Sequence, residues 1–280
     1  MKKSICIAIL LCASLMASEC TAVYGDGKTE LKLATGSPGE LGLLEVLSNE
    51  FSKANDTKIC WIKAGSGQTL ELLKNKKIDI AMVHAPKAEI SAVKEGWATQ
   101  RTLIGSNEFF IVGPKSDPAK IKTAQNVTEA YTDIAKSQSL FYTRADNSGT
   151  HKKELSIWKM ANITPQGQWY EANKDFMLAT LLKADKNGAY FMSDSSTWVV
   201  AKKDIKSSEI LFRGDKYLIN TYCALRQNDS DTTESKKSKD FINFVASSAG
   251  QEIIKNYGKD RYGEGLYNDA AYAQKYFISE

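Results

Sequence analysis

Histidine is almost absent from this chain, with two copies, His84 and His151, in 280 residues. Neither has the neighbouring Cys or Glu spacing of a zinc site, which sets a metal-cation centre aside. There is no Gly-x-Ser-x-Gly nucleophile elbow, and Gly36-Ser37-Pro38-Gly39 lacks its spacing. A secreted enzyme would have to use His84 or His151 as a base outside any recognised catalytic motif. Net charge is only +4, and the lysines are scattered among Asp and Glu. No basic stripe marks a nucleic-acid face, and Lys236 and Lys237 read as a solvated helix start. Internal repeats, coiled-coil heptads and low-complexity tracts are also missing.

Long apolar runs are scarce too. The one at residues 5–16 follows Lys2 and Lys3 and is too short to span a bilayer as a helix, but it has the length of a signal-peptide core. The chain is therefore expected to be exported to the periplasm, with residues 1–22 as the signal peptide and cleavage after Ala22, or alternatively after Ala17. Cys20 invites a lipid anchor, but Glu19 stands where a small residue belongs, so lipidation is disfavoured. Of five cysteines, Cys6, Cys12 and Cys20 would leave with that segment. Cys60 and Cys223 remain in an oxidising compartment, either to pair or to stay as two buried thiols on different strands.

The rest alternates short apolar runs with segments of helical period, the pattern of an α/β protein. Residues 31–34 predict a strand, and Leu41, Leu44, Leu47 and Phe51 then recur at helical spacing. Strands are expected at 58–64, 78–83 and 109–113, with helices at 68–74 and 87–95 between them. Asp117-Pro118 opens a polar crossing segment. Beyond it, helices at 127–136, 150–161 and 175–182 alternate with strands at 140–143, near Trp169 and at 189–192. A strand at 220–225 leads back, followed by terminal helices carrying Phe241, Phe244 and Val245. The expected organisation is one lobe from 23–114 and 224–280 and a second from 115–223.

In open α/β sheets, ligands bind beyond the carboxyl ends of the strands. Four loops take that position. Residues 35–39 offer Thr35 and Ser37 with two glycines, and Pro38 suits a helix start. Residues 64–68 contain Gly65-Ser66-Gly67, whose glycines let backbone donors approach a ligand. The third loop is His84-Ala-Pro86, where the histidine either contacts ligand or is a structural group bonded to a carbonyl. The fourth, Arg144-Ala-Asp-Asn-Ser-Gly-Thr150, delivers a guanidinium into a helix start. Unpaired N–H groups and a partial positive charge there make an anion seat from Arg144 followed by Asn147, Ser148 and Thr150. Asp146 is placed to hold the guanidinium.

These segments carry a resemblance. Leu31-Lys-Leu-Ala-Thr35, Gly65-Ser-Gly-Gln-Thr69, Asp79-Ile-Ala-Met-Val-His-Ala-Pro86, Glu108-Phe-Phe-Ile-Val-Gly-Pro114, Arg144-Ala-Asp-Asn-Ser-Gly-Thr-His-Lys-Lys-Glu154 and Trp169-Tyr170 occur in the order seen in periplasmic tungstate-binding proteins of ABC transporters. The resemblance implies an α/β, two-lobed, type II-like periplasmic binding protein. Such a protein has open mixed sheets with helices on both faces and a ligand cleft between its lobes. It also implies an oxyanion ligand, tungstate or molybdate, with no cofactor, and delivery to a membrane permease by a monomer that performs no chemistry. The candidate ligand set is Thr35, Ser37, Ser66, Gly67, His84, Arg144, Ser148, Gly149 and Thr150. This chain departs from the family at the first loop, which is Thr35-Gly-Ser-Pro38 in place of a threonine run. The family's Gly-rich segment after Trp-Tyr is Asn173-Lys-Asp-Phe-Met177 here, and its Asp-Arg-Gly-Thr-Tyr is Asp194-Ser-Ser-Thr-Trp198. Alternatives are a receptor for phosphate, a sulfonate or a carboxylate, and more remotely a secreted enzyme.

Overall fold

The computed structural model describes residues 19–277. The expected signal core at 5–16, with Cys6 and Cys12, and the cleavage point after Ala17 lie outside them. The strands are β1 (Ala22–Tyr24), β2 (Thr29–Thr35), β3 (Thr57–Lys63), β4 (Ile80–Val83), β5 (Thr99–Pro114), β6 (Phe141–Thr143), β7 (Tyr170–Ala172), β8 (Tyr190–Asp194), β9 (Ser208–Phe212) and β10 (Ile219–Arg226). The main helices are α1 (Ser37–Glu40), α2 (Leu43–Asn55), α3 (Ser66–Lys74), α4 (Pro86–Lys94), α5 (Val127–Ser137), α6 (Gly149–Met160), α7 (Met177–Asn187), α8 (Ser195–Ala201), α9 (Thr233–Ala246) and α10 (Ser248–Asn256). None of the helices among the described residues is long and apolar enough to cross a membrane.

Strand order is β1-β3-β2-β4-β10-β5-β8-β6-β7, with β9 also on β5. β2 is parallel to β3 and β4, and β6 is parallel to β7 and β8, whereas β10 and β5 are antiparallel to their neighbours. The sheet is therefore mixed, as expected. Period-2 alternation divides the first lobe into two apolar layers. Ile80 and Met82 join Leu31, Leu33, Phe51 and Phe241 on one face, while Ala81 and Val83 join Leu70, Leu73 and Ala92 on the other. In α2 the buried Leu44, Leu47 and Phe51 form the expected helical stripe together with Leu43, whereas Leu41, expected in the same stripe, is half-buried at the end of α1. The second lobe has its own core, centred on Tyr131, Phe141, Trp158 and Phe191.

β5 is 16 residues long, although only its apolar end at 109–113 is legible as a strand. Its polar first half pairs with β10 up to Glu108, and from Phe109 it pairs with β8. All of β10 lies in the first sheet, from Ile219 onward. The chain thus changes sheets within β5 and just before β10, not after Pro114 and Cys223. The buried helix α8 and the strands β1 and β9 are further elements absent from the sequence reading.

The cysteine pairing also differs. Cys60 bonds Cys20, with Cα atoms 5.2 Å apart, and Cys223 is a buried free thiol. The strand order rules Cys223 out as the partner: Cys60 lies in β3, beside the β1 segment that follows Cys20, whereas Cys223 faces Val83 of β4. β2 and β4 intervene between β3 and β10. Three strand spacings of about 4.8 Å exceed the roughly 7 Å Cα limit for a disulfide. Cleavage after Ala22 would discard Cys20 and the start of β1, so of the two expected points only that after Ala17 retains this clamp.

Candidate functional site

The four loops converge where the lobes meet. Thr35 ends β2 fully buried, and its Oγ1 has no hydrogen-bond partner. Its carbonyl is held by the N–H of Ala64 and by Trp61 Nε1 at 3.1 Å. Ser37 opens α1 and donates from Oγ to Asp194 Oδ2 across the junction at 3.4 Å. The start of α3 has no side-chain cap, leaving its first backbone donors open. Ser66 Oγ accepts the His84 N–H at 3.2 Å.

On the second lobe, Arg144 is 5% exposed. Its Nε donates to the Asp175 carbonyl at 3.1 Å, its Nη2 pairs with Asp146, and its guanidinium lies 5.7 Å from the centre of the Phe176 ring. Asp146 therefore holds the guanidinium, as expected, and its other oxygen accepts the Ser148 N–H at 3.0 Å. Ser148 Oγ caps α6 by accepting from His151 N. Ala145 and Asn147, flanking Asp146, both have left-handed φ of 49° and 59°. Such strain in non-glycine residues persists where the surroundings over-determine it, often at ligand sites. Thr150 Oγ1 is buried without a partner.

Glycines make the closeness of the lobes measurable. A Cβ on Gly65 would lie 3.1 Å from Ser148 Cβ, and one on Gly67 would lie 2.4 Å from the Asn147 carbonyl oxygen. One on Gly149 would lie 2.4 Å from His84 Cε1. Loops two, three and four thus touch, and Ser37 joins them to Asp194. Every candidate residue has its place at or beside this junction.

Of the two alternatives the sequence left open, His84 has the carbonyl bond of the structural one, and its ring also faces Gly149 of the fourth loop. Ser196 Oγ donates to the Leu266 carbonyl at 2.7 Å, so it must accept from Asn107 Nδ2 at 2.8 Å. Asn107 Oδ1 then accepts from Asn220 Nδ2 at 2.7 Å, leaving Asn220 Oδ1 facing His84 Nδ1 at 2.9 Å. This polarity assigns the ring proton to Nδ1 and the lone pair to Nε2. Burial brings the His84 pKa down to about 4, against the Asn220 hydrogen bond, with the Arg144 and Lys153 charges adding to the fall. The imidazole is neutral at physiological pH.

Asp194, Asn107, Asn220 and Lys153 were not singled out as ligand-site residues from the sequence. Asp194 caps α8 through Thr197 N and Oγ1, and burial raises its pKa. The available signal was a polar residue inside an expected strand for Asn220, and none for Asn107, which lies in the polar half of β5. Among the described residues, the one cluster spaced for a metal ion is Cys20, Glu30 and Cys60, where the two sulfurs are bonded to each other.

A sequence profile described as a PBP superfamily domain matches residues 22–249. The chain is 35% identical over 83% of its length to a putative ABC transporter anion-binding protein of Haloferax volcanii, covering 70% of that protein. It is 32% identical over 95% of its length to the tungstate-binding protein TupA of Peptoclostridium acidaminophilum, covering 94% of that relative. In three dimensions it resembles the tungstate ABC transporter protein of Geobacter sulfurreducens, with a TM-score of 0.74 and 34% identity, covering 83% of this chain and 100% of that one.

Proposed function

Since the chain belongs to the PBP superfamily, and within it to the family of the tungstate-binding proteins, we propose that it is an extracytoplasmic receptor for a tetrahedral oxyanion, tungstate first and molybdate next, which it passes to an ABC permease. The observation that carries this reading is the pair of buried hydroxyls without partners, Thr35 Oγ1 and Thr150 Oγ1, in loops on either side of the junction that holds buried Arg144. A buried donor without an acceptor costs roughly 1–3 kcal/mol. An oxyanion returns acceptors to these donors and offers a further acceptor to the guanidinium, whose Nη2 is already paired with Asp146. Its capture needs no bond making, and the named relatives are binding proteins.

A second reading is favoured by Asp194 and by the His84 Nε2 lone pair, both acceptors beside the seat. Monohydrogen phosphate carries a proton that rewards an acceptor, whereas tungstate has none. Calorimetry with tungstate, molybdate, sulfate and phosphate separates the two. Tungstate is expected to bind at least about tenfold more tightly than sulfate or phosphate, because a shell spaced for long metal–oxygen bonds leaves donors unpaired around a smaller anion. Tight phosphate binding without a tungstate signal overturns the tungstate assignment.

A further inference from the structure

We propose that Lys153 is a second cation of the anion seat and the one that selects a doubly charged ligand over a singly charged one of the same shape. The inference rests on the oxyanion reading above and deepens it.

Lys153 lies on α6, four residues after Gly149 and three after Thr150, so it shares their helix face. Side chains on a helix lean toward its N-terminus, which here is the seat itself. The Lys153 ammonium accordingly reaches out of the second lobe to the carbonyl of Ile219, at 3.5 Å. Ile219 immediately precedes Asn220, the partner of His84. The ammonium therefore sits at the start of β10, beside the His84–Asn220 pair.

Its surroundings are incomplete. An ammonium has three donors, and among the described residues the Ile219 carbonyl is the one acceptor in reach, at the limit of a hydrogen bond. Among the described residues no carboxylate lies within ion-pair distance of it. Burial lowers its pKa, and its charge acts on His84 in the same sense as that of Arg144. A cation so placed is costly unless something negative arrives.

Charge counting gives the specificity. Arg144 is already paired with Asp146, so that unit is close to neutral as a source of long-range field. Among the described residues Lys153 is a buried cation acting on His84 whose charge is not paired with a carboxylate. A monoanion can be held by hydrogen bonds from the hydroxyls, the backbone and the guanidinium. A dianion needs the additional charge.

The test uses tungstate and perrhenate, both tetrahedral tetraoxyanions, with charges of −2 and −1. Calorimetric titration of the full mature protein is expected to show tungstate preferred. In Lys153→Met, tungstate affinity should fall by about tenfold to a hundredfold while perrhenate affinity changes by less than about threefold. Lys153→Arg should restore most of the preference, which a loss of packing alone would not do. If Lys153→Met fails to fold, Lys153→Gln takes its place. NMR titration gives a second readout: removing this charge should raise the His84 pKa. A wild-type protein that binds tungstate, with an unchanged tungstate-to-perrhenate ratio in the variants, overturns the role of Lys153 alone. A wild-type protein that binds neither anion overturns the oxyanion reading and this inference with it.

Discussion

His84 and Gly149 meet across the lobe junction so closely that a single added methyl would occupy the imidazole's place, 2.4 Å from Cε1 and 2.5 Å from Nδ1. The ring cannot simply swing aside, because its Nδ1 is tied to Asn220 and its backbone N–H to Ser66. Gly149 starts α6 without the positive φ that would demand glycine. Alanine there is neutral or favourable for the helix itself, by up to about 1 kcal/mol. Two-lobed periplasmic binding proteins close around their ligands, so Gly149→Ala should separate folding from closure. The thermal midpoint without ligand is expected to be unchanged or slightly higher, while tungstate affinity falls by roughly tenfold or more. Small-angle scattering should show that ligand no longer compacts the variant. Tight binding with normal compaction would remove the contact from the closing mechanism.

Arg144 is the second point of leverage. Its planar fork makes separate bonds to the Asp175 carbonyl and to Asp146, a geometry that a lysine ammonium cannot reproduce. Charge-assisted hydrogen bonds contribute roughly 1.5–3 kcal/mol. Arg144→Lys should weaken anion binding by about one to two decades, and Arg144→Ala should weaken it more. Circular dichroism should show both variants folded. Unchanged titration curves would take Arg144 out of the site.

Much of this arrangement was legible in the sequence because it is local. The helical spacing in α2, the apolar run of β4 and the helix start after Arg144 each depend on neighbours a few residues away. Loops named for their composition at 35–39, 64–68, 84–86 and 144–150 do gather at one junction, since each follows the carboxyl end of a strand. What was not legible depends on register between distant strands. Cys20 finds Cys60 because β1 pairs with β3, and no spacing rule encodes that. Asn107 and Asn220 look like weak points in β5 and β10. Only the pairing of those strands turns them into the chain that orients His84. Lys153 reads as one more surface lysine until α6 is docked against the start of β10.

The cysteine arrangement makes a countable expectation. Protein beginning at residue 18 should show no reactive thiol when native and one when unfolded, because Cys223 is fully buried and Cys20 is bonded to Cys60. The bridge closes a sequence separation of 40. The loop-entropy model gives it up to about 4 kcal/mol, with Cys20→Ser/Cys60→Ser expected to lower the denaturation midpoint accordingly. Alkylation and mass analysis under non-reducing, denaturing conditions decide the pairing. Three modified thiols would refute the bridge.

Glu154 gives the protein a stability profile with a definite sign. It lies in α6, 2% exposed, and its Oε1 accepts from Trp158 Nε1 at 3.1 Å and Tyr170 OH at 2.6 Å. Burial raises its pKa to about 7, with the Tyr170 and Trp158 hydrogen bonds opposing the rise. An unfolded glutamate titrates near 4.3. Between those values the folded chain holds a proton that the unfolded chain has released, so stability falls as pH rises through this window and levels off above about 7. The difference amounts to about 4 kcal/mol. Other buried groups titrate as well: Glu89 and Asp194 have raised pKa values and His84 a lowered one. The wild-type curve alone therefore does not isolate Glu154. Glu154→Gln does, since the amide keeps an acceptor for Trp158 and Tyr170 and never ionises. Urea midpoints of the two proteins should nearly coincide at about pH 4, diverge up to about pH 7 and stay apart at pH 8, with the glutamine variant the more stable. Parallel curves across that range would mean that Glu154 ionises in the folded protein as easily as in the unfolded one.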